Sequence, residues 1–290
     1  MNTKRNELAD KMDRDLIMVD VGCRWGFADR FIQHIDIFQL YGFDPDRDEC
    51  NRLEKQYGSS RISLVPLGLA NYEGESTLYL TKEPACSSMF KPIQKLVESS
   101  SALDCARKVS EVKIKHTTLD RWAERTGIEY VDYIKIDTQG AELLVLQGAN
   151  KVIESVRCLE VEVEFNPIYE GQALFSDIDS FLREKGFVLW KLTNMAHYGR
   201  DAENDVKLGE DHIHYDDQSE VHQKHGGQLY WADAHYVRKD VADADFTSLQ
   251  QLRRDMILMG CLNHLDIEQR LKKMLGEQGK CSTSEVGNVI

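Results

Sequence analysis

The chain has 290 residues, which is enough to bury a sizeable core in one large α/β domain. It carries 49 acidic against 36 basic side chains, a formal net charge of −13, which argues against a nucleic acid as the main partner. No apolar run reaches about 18 residues and the N-terminus has no apolar signal core, so we expect a cytoplasmic protein without a membrane span. Seven cysteines without a C-x-x-C pair indicate reduced thiols rather than a disulfide framework or a zinc site.

The first predicted unit is a strand followed by a glycine loop and a helix, LIMVDVGCRWGFADRF, residues 16–31. The strand runs into Asp20, and Gly22 and Gly26 follow it. Glycines at these positions let a ligand lie close to the backbone. The spacing Asp-x-Gly-x-x-x-Gly differs from the G-x-G-x-x-G loop of dinucleotide binders, in which a helix N-terminus holds a pyrophosphate.

The second predicted strand ends at Asp44, in QLYGFDPD. An acid at this point of a dinucleotide-binding fold accepts hydrogen bonds from the ribose hydroxyls. A glycine loop and a ribose-binding acid without a phosphate fingerprint indicate an adenosine ligand that lacks phosphates. S-adenosylmethionine is the obvious candidate.

A third unit of this kind follows at residues 133–149, YIKIDTQGAELLVLQGA. The short apolar strand ends at Asp137, Gly140 permits a tight turn, and a helix begins at once. Asp137 alone is either a helix N-cap or a site residue, because ligands of open α/β sheets bind at the carboxyl ends of the strands. The two upstream units favour a site residue.

Alternating strands and helices predict an α/β fold with a doubly wound, mostly parallel sheet. An inserted hairpin is expected, since Glu75–Thr81 and Val112–Thr117 both alternate. The predicted strands lie near residues 16–22, 39–44, 62–69, 131–137, 157–165, 186–193 and 228–238. The predicted helices lie near residues 26–37, 46–57, 118–126, 140–153 and 175–185.

From Leu16 to Leu192 the sequence resembles the FkbM-type S-adenosylmethionine-dependent methyltransferases, a branch of the class I methyltransferase fold. The run Asp-Thr-Gln-Gly-Ala-Glu followed by Val-Leu-x-Gly-Ala is the most specific match. The others are VDVGCRWG, GFDPD, LVPLGLANYEGESTLYL, TTLDRWAERTGIEYVDYIKI and VEVEFNPIYEGQALFSDIDSFLREKGF. The resemblance implies a Rossmann-like, seven-stranded sheet whose last strand is antiparallel.

The resemblance also implies which residues bind the cofactor S-adenosylmethionine. It assigns the glycine loop to the methionine part, Asp44 to the ribose, and the segment after the third strand to the adenine. The serine-containing segment Ser87–Ser88 is expected to touch cofactor or acceptor. The implied cofactor residues are Asp20, Gly22, Cys23, Gly26, Asp44, Ala70, Asn71, Ser88 and Asp137.

Methyl transfer to a hydroxyl needs an aligned acceptor and a group that takes its proton. Asp137 is the leading catalytic candidate, and Glu164 ends the next strand at the same edge. Alternation puts Glu160, Glu162 and Glu164 on one face of that strand, so one of these acids could instead be paired structurally. His235, on the last strand, is either a structural histidine or an acceptor contact. Whether Asp137 is a base, a metal ligand or a scaffold stays open.

The predicted domains are a methyltransferase domain at 1–240, with insertions at about 82–110 and 194–227, a helical extension at 241–275, and a disordered tail at 276–290. We expect the insertions to cover the active site, and a homo-oligomer could form through the C-terminal helices. The second insertion is rich in histidine, but the spacings match no structural zinc motif, so no metal is predicted. Its histidines are His212, His214, His222 and His225.

The sequence therefore predicts an O-methyltransferase that acts on a hydroxyl of a sugar, a glycan precursor or a natural-product small molecule. Two alternatives remain open. One is a methyltransferase with another acceptor, namely an N-linked small molecule, a protein or a nucleic acid. The other is a non-catalytic Rossmann-like binding module.

Overall fold

The computed structural model describes residues 12–98, 101–198, 213–215 and 228–284, and their strands form two sheets. The strands, in chain order, are β1 Leu16–Val21, β2 Phe38–Phe43, β3 Ile62–Val65, β4 Gly68–Leu69, β5 Gly74–Thr81, β6 Lys108–Thr117, β7 Tyr133–Ile136, β8 Cys158–Glu164, β9 Phe187–Tyr198, β10 Ile213–Tyr215 and β11 Gln228–Arg238. The large sheet has the order β10-β9-β11-β8-β7-β1-β2-β3.

The large sheet is mostly parallel. Strands β1, β2, β3, β7 and β8 run in the same direction, and β11 is antiparallel to both of its neighbours, β8 and β9. This arrangement confirms the predicted fold class, including the antiparallel last strand. The structure adds an eighth strand, β10, at the edge. Sequence periodicity did not indicate it, because it is three residues long and lies in a polar, histidine-rich segment.

Helices cover both faces of the large sheet. They are α1 Asp29–Ile32, α2 Arg47–Tyr57, α3 Gln94–Glu98, α4 Leu119–Thr126, α5 Glu142–Gln147, α6 Phe175–Glu184, α7 Lys239–Asp243, α8 Leu249–Cys261 and α9 Leu265–Ser284. Because side chains of a strand alternate between faces, Met18 packs into one core cluster and Val19 into the other. The result is a three-layered helix–sheet–helix domain.

The C-terminal helices belong to the main core. Leu252 and Met256 of α8 pack in the same cluster as Leu16 and Phe38 of the sheet. Arg157, just before β8, donates two hydrogen bonds to the buried carboxylate of Asp255 in α8, at 2.9 and 3.0 Å. Burial of the apolar side of α8 explains its sequence pattern. The last helix, α9, continues into the segment for which the sequence predicts disorder, and residues 285–290 lie outside the described residues.

The predicted hairpin is confirmed and forms the centre of the small sheet. Strand β5 pairs antiparallel with β6, and β4 adds parallel to β6. The predicted strand at 62–69 was wrong in one respect, because it is two strands in different sheets. Pro66 lies between them and has no N–H to donate to a ladder, so the chain leaves the large sheet there.

Two predicted helices are shorter than the sequence suggested. The chain is left-handed at Gly26, with φ 88°, so helical geometry begins only at Asp29. Helix α5 ends at Gln147, and the next residue, Gly148, packs against the carbonyl oxygen of Ala70, where a β-carbon would approach to 2.1 Å. Helix α2 has the expected signals: Asp46 caps its first amides and the left-handed Gly58 ends it.

No helix in the described part of the chain is both long enough and apolar enough to cross a membrane. Of the insertion at 194–227, the structure describes residues 194–198 and 213–215 only. The histidines at positions 212, 222 and 225 lie outside the described residues, and the structure does not describe the side chain at position 214. The expectation that this segment binds no metal therefore stays a prediction.

Candidate active site

A cleft opens where the carboxyl ends of β1, β2 and β7 meet. The ends of the three strands supply Gly22, Asp44 and Asp137 to its wall. The first insertion supplies Pro84, Ala85, Ser87 and Met89, so this segment covers part of the cleft. Gly22, Asp44 and Asp137, which the sequence placed at the ends of separate strands, therefore converge on one cleft.

The glycine loop holds the backbone of two strands in close contact. Gly22 has φ +87°, and a β-carbon at this position would lie 1.8 Å from the carbonyl oxygen of Asp137. Gly26 has φ +88°, and its β-carbon would lie 2.1 Å from the hydroxyl of Tyr57. That hydroxyl in turn accepts a hydrogen bond from the amide of Phe27 at 2.8 Å. Glycine is required at both positions because protein atoms occupy the space of a side chain and φ is positive, and Gly22 also borders the cleft.

Asp44 lies at the end of β2 and is 5% exposed. Its Oδ1 accepts a hydrogen bond from the amide of Asp46 at 2.7 Å. Burial raises the pKa of Asp44, while the Asp46 amide and the charge of Arg24 act in the opposite direction. The carboxylate borders the cleft, where its remaining acceptor capacity matches a pair of ribose hydroxyls.

Apolar side chains line the part of the cleft beyond Asp44. They come from β2, from the segment between β3 and β4, and from the hairpin: Phe43, Leu67, Leu69, Leu78 and Ile114. A flat apolar ring fits such a wall, and a sugar fits the carboxylate beside it. The donor set and the glycine cradle thus fit an adenosine cofactor without phosphates.

Asp137 is held between a lysine and an amide. Its Oδ2 accepts from Lys135 Nζ at 3.2 Å and its Oδ1 from Gln139 Nε2 at 3.0 Å. Burial alone would raise the pKa of Asp137, but the charge of Lys135 and the Gln139 hydrogen bond outweigh it, so the pKa lies below its ordinary value. The side chain is 35% exposed. Asp137 is therefore an ionised carboxylate at the cleft wall.

Gln139 connects four parts of the site, and the sequence reasoning missed it. Its Nε2 also donates to Glu162 Oε2 at 2.7 Å, and its Oε1 accepts from the Tyr169 hydroxyl at 3.1 Å. Its carbonyl oxygen accepts from Ser88 Oγ at 2.6 Å. The backbone has φ 58°, the left-handed region that side-chain-bearing residues rarely adopt. Such strain is often found at functional sites.

Three buried carboxylates lie behind Asp137: Glu142, Glu162 and Glu164. One oxygen of each lies within 4.8 Å of the others. The Oε1 atom of Glu142 accepts from the amides of Thr138 and Gly140, which fixes it at the start of α5. The predicted catalytic residue Glu164 thus belongs to a buried acidic cluster and does not face the cleft.

A further acid, Asp233, extends the polar edge and was not predicted. It is paired in register with Glu162, and its Oδ2 accepts from Asn194 Nδ2 at 2.6 Å. Burial, only partly offset by Asn194, raises the pKa of Asp233 to about 6. The signal was weak in the sequence, because Asp233 stands alone in an otherwise apolar strand.

Some predicted site residues lie beside the cleft rather than in its wall. Cys23 is buried in the core, with its sulfur packed against Gly42. Asp20 lies on β1 just before the glycine loop, and its buried Oδ1 has no hydrogen-bond partner among the described residues. Asn71 follows the wall residues Gly68 and Leu69 in the chain; its side chain is exposed and donates a hydrogen bond to Gln147. Ala70 is fully buried against Gly148.

Ser88 and His235 also differ from the expectation. Ser88 is fully buried and supports Gln139, whereas its neighbour Ser87 borders the cleft. His235 lies deeper in the sheet, opposite Glu160, and its Nε2 is 2.8 Å from the Thr193 hydroxyl. Burial lowers the pKa of His235 to about 4, so the ring is neutral near pH 7. Its position supports the structural alternative and not an acceptor contact.

A mostly parallel sheet with one antiparallel inner strand, carrying a glycine loop on β1 and an acid at the end of β2, defines a class I, Rossmann-like methyltransferase. The sequence pattern of the Methyltransferase FkbM domain matches residues 20–189. The chain belongs to this family. The protein is thus a methyltransferase, and its cofactor is S-adenosyl-L-methionine, as predicted.

Two curated relatives are similar over most of the domain. A 2-O-methyltransferase, NoeI, of Sinorhizobium fredii is 26% identical over 199 residues, which cover 67% of this chain and 79% of the relative. A hexuronic acid methyltransferase, AglP, of Haloferax volcanii is 23% identical over 203 residues, 64% of this chain and 75% of the relative. Among solved structures, the magnesium protoporphyrin IX methyltransferase of Synechocystis PCC 6803 is 12% identical, with a TM-score of 0.37 over 82% of this chain and 77% of that chain.

Proposed function

We propose that the protein transfers the methyl group of S-adenosylmethionine to a hydroxyl of a sugar, a glycan precursor or a hydroxylated natural product. The observation that carries this proposal is the row of carboxylates at the carboxyl edge of the sheet, in which Asp137 lies in the cleft wall and Asp233 lies two strands away. An acceptor with several hydroxyl groups donates hydrogen bonds to such a row. The chain's net negative charge and this acidic edge both disfavour a nucleic-acid backbone as the acceptor.

The activities for which the two relatives are named support the same class of acceptor. One is named for methylation at a 2-oxygen and the other for a hexuronic acid. At 26% and 23% identity these names support an oxygen acceptor on a sugar-like molecule and leave the exact substrate open.

In this proposal Asp44 and the apolar wall bind the adenosine part, and the glycine loop lies against the rest of the cofactor. The bound cofactor supplies a methyl group on a positively charged sulfur, which leaves as S-adenosylhomocysteine with the electron pair of the broken carbon–sulfur bond. Asp137 accepts a hydrogen bond from the acceptor hydroxyl, aligns its oxygen and takes its proton as the new carbon–oxygen bond forms. Lys135 and Gln139 hold the carboxylate ionised and oriented.

Isothermal titration calorimetry first separates this function from that of a different Rossmann-like module. The full-length protein should bind S-adenosylmethionine in the micromolar range and NAD at least about ten times more weakly, because the site has a ribose acid but no phosphate loop. Failure to bind S-adenosylmethionine would contradict both the cofactor assignment and the proposed reaction.

A methyl-transfer screen then tests the acceptor. Nucleotide sugars, oligosaccharides and hydroxylated small molecules are incubated with labelled S-adenosylmethionine, and products are analysed by mass spectrometry and NMR. We expect an O-methyl product that the Asp137→Asn variant forms at least about 100-fold more slowly. Label transferred only to amines, protein or nucleic acid would refute the proposal, and so would full turnover by Asp137→Asn.

A further inference from the structure

We propose that Glu142, Glu162 and Glu164 bind one divalent cation of the oxygen-preferring kind, such as Mg²⁺, Mn²⁺ or Ca²⁺. This site is separate from the cofactor contacts and does not depend on the identity of the acceptor. The sequence analysis assigned none of these three acids to a metal. They come from two elements and match no metal-binding motif.

The geometry of the cluster suits a single ion. One carboxylate oxygen from each residue lies within 4.8 Å of the other two. Oxygen ligands lie at about 2.0–2.1 Å from Mg²⁺ and about 2.3–2.6 Å from Ca²⁺, so oxygens on opposite sides of one ion are about 4–5 Å apart. The three side chains therefore need little movement to share an ion. Carboxylates are the ligands that these hard cations prefer.

Two of the three carboxylates have an oxygen that lacks a partner. The Oε2 atoms of Glu142 and Glu164 are buried and accept no hydrogen bond from the described residues. The residues themselves are 0% and 2% exposed. Glu142 is already fixed through Oε1 by the Thr138 and Gly140 amides, so its free Oε2 is a preorganised ligand atom. Buried acceptors without a donor are costly, and a cation would satisfy both at once.

The surrounding charges strengthen the case. Burial, followed by the charges of Asp137, Glu164, Glu142 and Asp233, raises the pKa of Glu162 well above its ordinary value. Burial, then the charges of Glu142 and Asp137, does the same for the pKa of Glu164, and a hydrogen bond between the Gln172 side chain and the Glu164 carboxylate opposes them.

Negative charge thus accumulates in the cluster, and either protons or a cation must neutralise it. Lys135, the cation of this region, is paired with Asp137. A cation that displaces the protons would also fix Glu162, and through Gln139 it would fix Asp137.

The test is metal binding to the full-length protein after dialysis against EDTA. Titration with Mn²⁺, Mg²⁺ and Ca²⁺ should give one ion per chain with a dissociation constant below about 1 mM for at least one of them. Loss of the free Mn²⁺ signal in electron paramagnetic resonance provides a second readout. Because binding displaces protons, the heat should depend on the buffer's ionisation enthalpy, and the affinity should rise with pH.

The isosteric variant Glu164→Gln should weaken binding by at least about ten-fold, and Glu162→Gln should do the same. Glu170→Gln is the matched control, because Glu170 is an exposed acid a few residues after β8 that forms only a long ion pair with Lys91. It should bind the metal like the unmodified protein. Thermal unfolding of each variant confirms that it is folded.

The proposal is overturned if none of the three ions binds up to about 10 mM, or if Glu164→Gln binds as well as the control. The proton alternative predicts a distinct result. Without a bound metal, Glu164→Gln would then raise the free energy of unfolding relative to the unmodified protein as the pH rises above about 4.5, the ordinary carboxyl pKa, because it removes a buried acid whose ionisation is unfavourable. Neither outcome bears on cofactor binding or on the class of acceptor, which the cofactor titration and the methyl-transfer screen test separately.

Discussion

The substitution Gly22→Ala provides the sharpest test of how the sheet and the glycine loop build the cofactor site. The new β-carbon would lie 1.8 Å from the carbonyl oxygen of Asp137, whereas such contacts are normally longer than 3.0 Å. The segment after β1 and the segment after β7 must therefore separate by more than about 1 Å. The backbone of Asp137 would move with them.

The cost has two parts. A left-handed conformation costs an alanine about 1–2 kcal/mol. The separation also stretches the hydrogen bond from the Asp137 amide to the Val21 carbonyl oxygen, now 2.9 Å, and an unsatisfied buried group costs about 1–3 kcal/mol. We expect the free energy of unfolding to fall by about 2–5 kcal/mol in Gly22→Ala.

Gly58→Ala isolates the first part of the cost. Gly58 also has a positive φ, of 57°, but its β-carbon would meet no atom within 4 Å. This variant should lose only about 1–2 kcal/mol and should bind S-adenosylmethionine normally. Urea denaturation and calorimetry measure both quantities for the two variants.

Gly22→Ala should bind the cofactor at least about ten-fold more weakly, because the loop and Asp137 shift together. The two variants could instead prove equally stable and equally able to bind cofactor. The close approach of the two strands would then have no energetic consequence, and the reasoning would be refuted.

Three further substitutions test individual residues. Asp44→Ala should raise the dissociation constant of S-adenosylmethionine about 10- to 100-fold in calorimetry, because hydrogen bonds to a charged group contribute about 1.5–3 kcal/mol. Gln139→Ala should lower kcat at least about ten-fold on the acceptor found in the screen, with cofactor affinity changed less than about three-fold, because Gln139 orients Asp137 and does not hold the adenosine. His264→Asn should make stability less sensitive to acid. Burial, followed by the charge of Lys191, lowers the pKa of His264 to about 4, below its unfolded value of about 6.5, so the unfolded chain binds an extra proton between these values and stability is lost as pH falls through this window. From about pH 6 to about pH 5 the unmodified protein should lose about 1 kcal/mol more than the variant, measured by urea denaturation.

The control for these variants is a substitution in α2. Gln56→Ala removes an exposed amide that accepts only from Arg52, and it should leave cofactor affinity and kcat unchanged. Normal cofactor affinity in Asp44→Ala would contradict the ribose assignment. Unchanged kcat in Gln139→Ala would contradict the role of Gln139 in orienting Asp137. Parallel curves of stability against pH for His264→Asn and the unmodified protein would show that this histidine is not buried in its neutral form.

Strand ends were predictable from the sequence because they need only local information. An apolar β-branched run that stops at an acid or a glycine marks both the element and its exit, and this located Gly22, Asp44 and Asp137 correctly at one edge. The hairpin was equally local, since polar and apolar residues alternate within Glu75–Thr81 and Val112–Thr117. Helix ends were less predictable, because the helical sequence pattern over 140–153 extends past Gln147, where α5 ends.

The register between strands was not predictable, and it separates the site from the structural interior. Asp20, Lys135, Glu160, His235 and Lys191 are partners in register across five neighbouring strands, so they form one row on one face. Asp20 and Glu160 are acidic, Lys135 and Lys191 are basic, and His235 is neutral. Burial alone would lower the pKa of Lys135, but the charges of Asp137 and Asp20 raise it above its ordinary value. This row is internally compensated. It therefore explains why His235 is a structural residue although its strand reaches the site.

The next row toward the carboxyl edge differs in kind. Asp137 and Glu162 lie one residue beyond the Ile136–Val161 pair, and Asp233 is the partner of Glu162. All three are acids, so this row cannot compensate its own charge from within the sheet. Its neutralising groups must come from Lys135 below, from protons, from a bound cation or from the hydroxyl groups of an acceptor. One row at the ligand edge therefore carries unbalanced negative charge, while the row next to it is balanced. Unbalanced charge of this kind is typical of functional sites, where a bound ligand interacts with it.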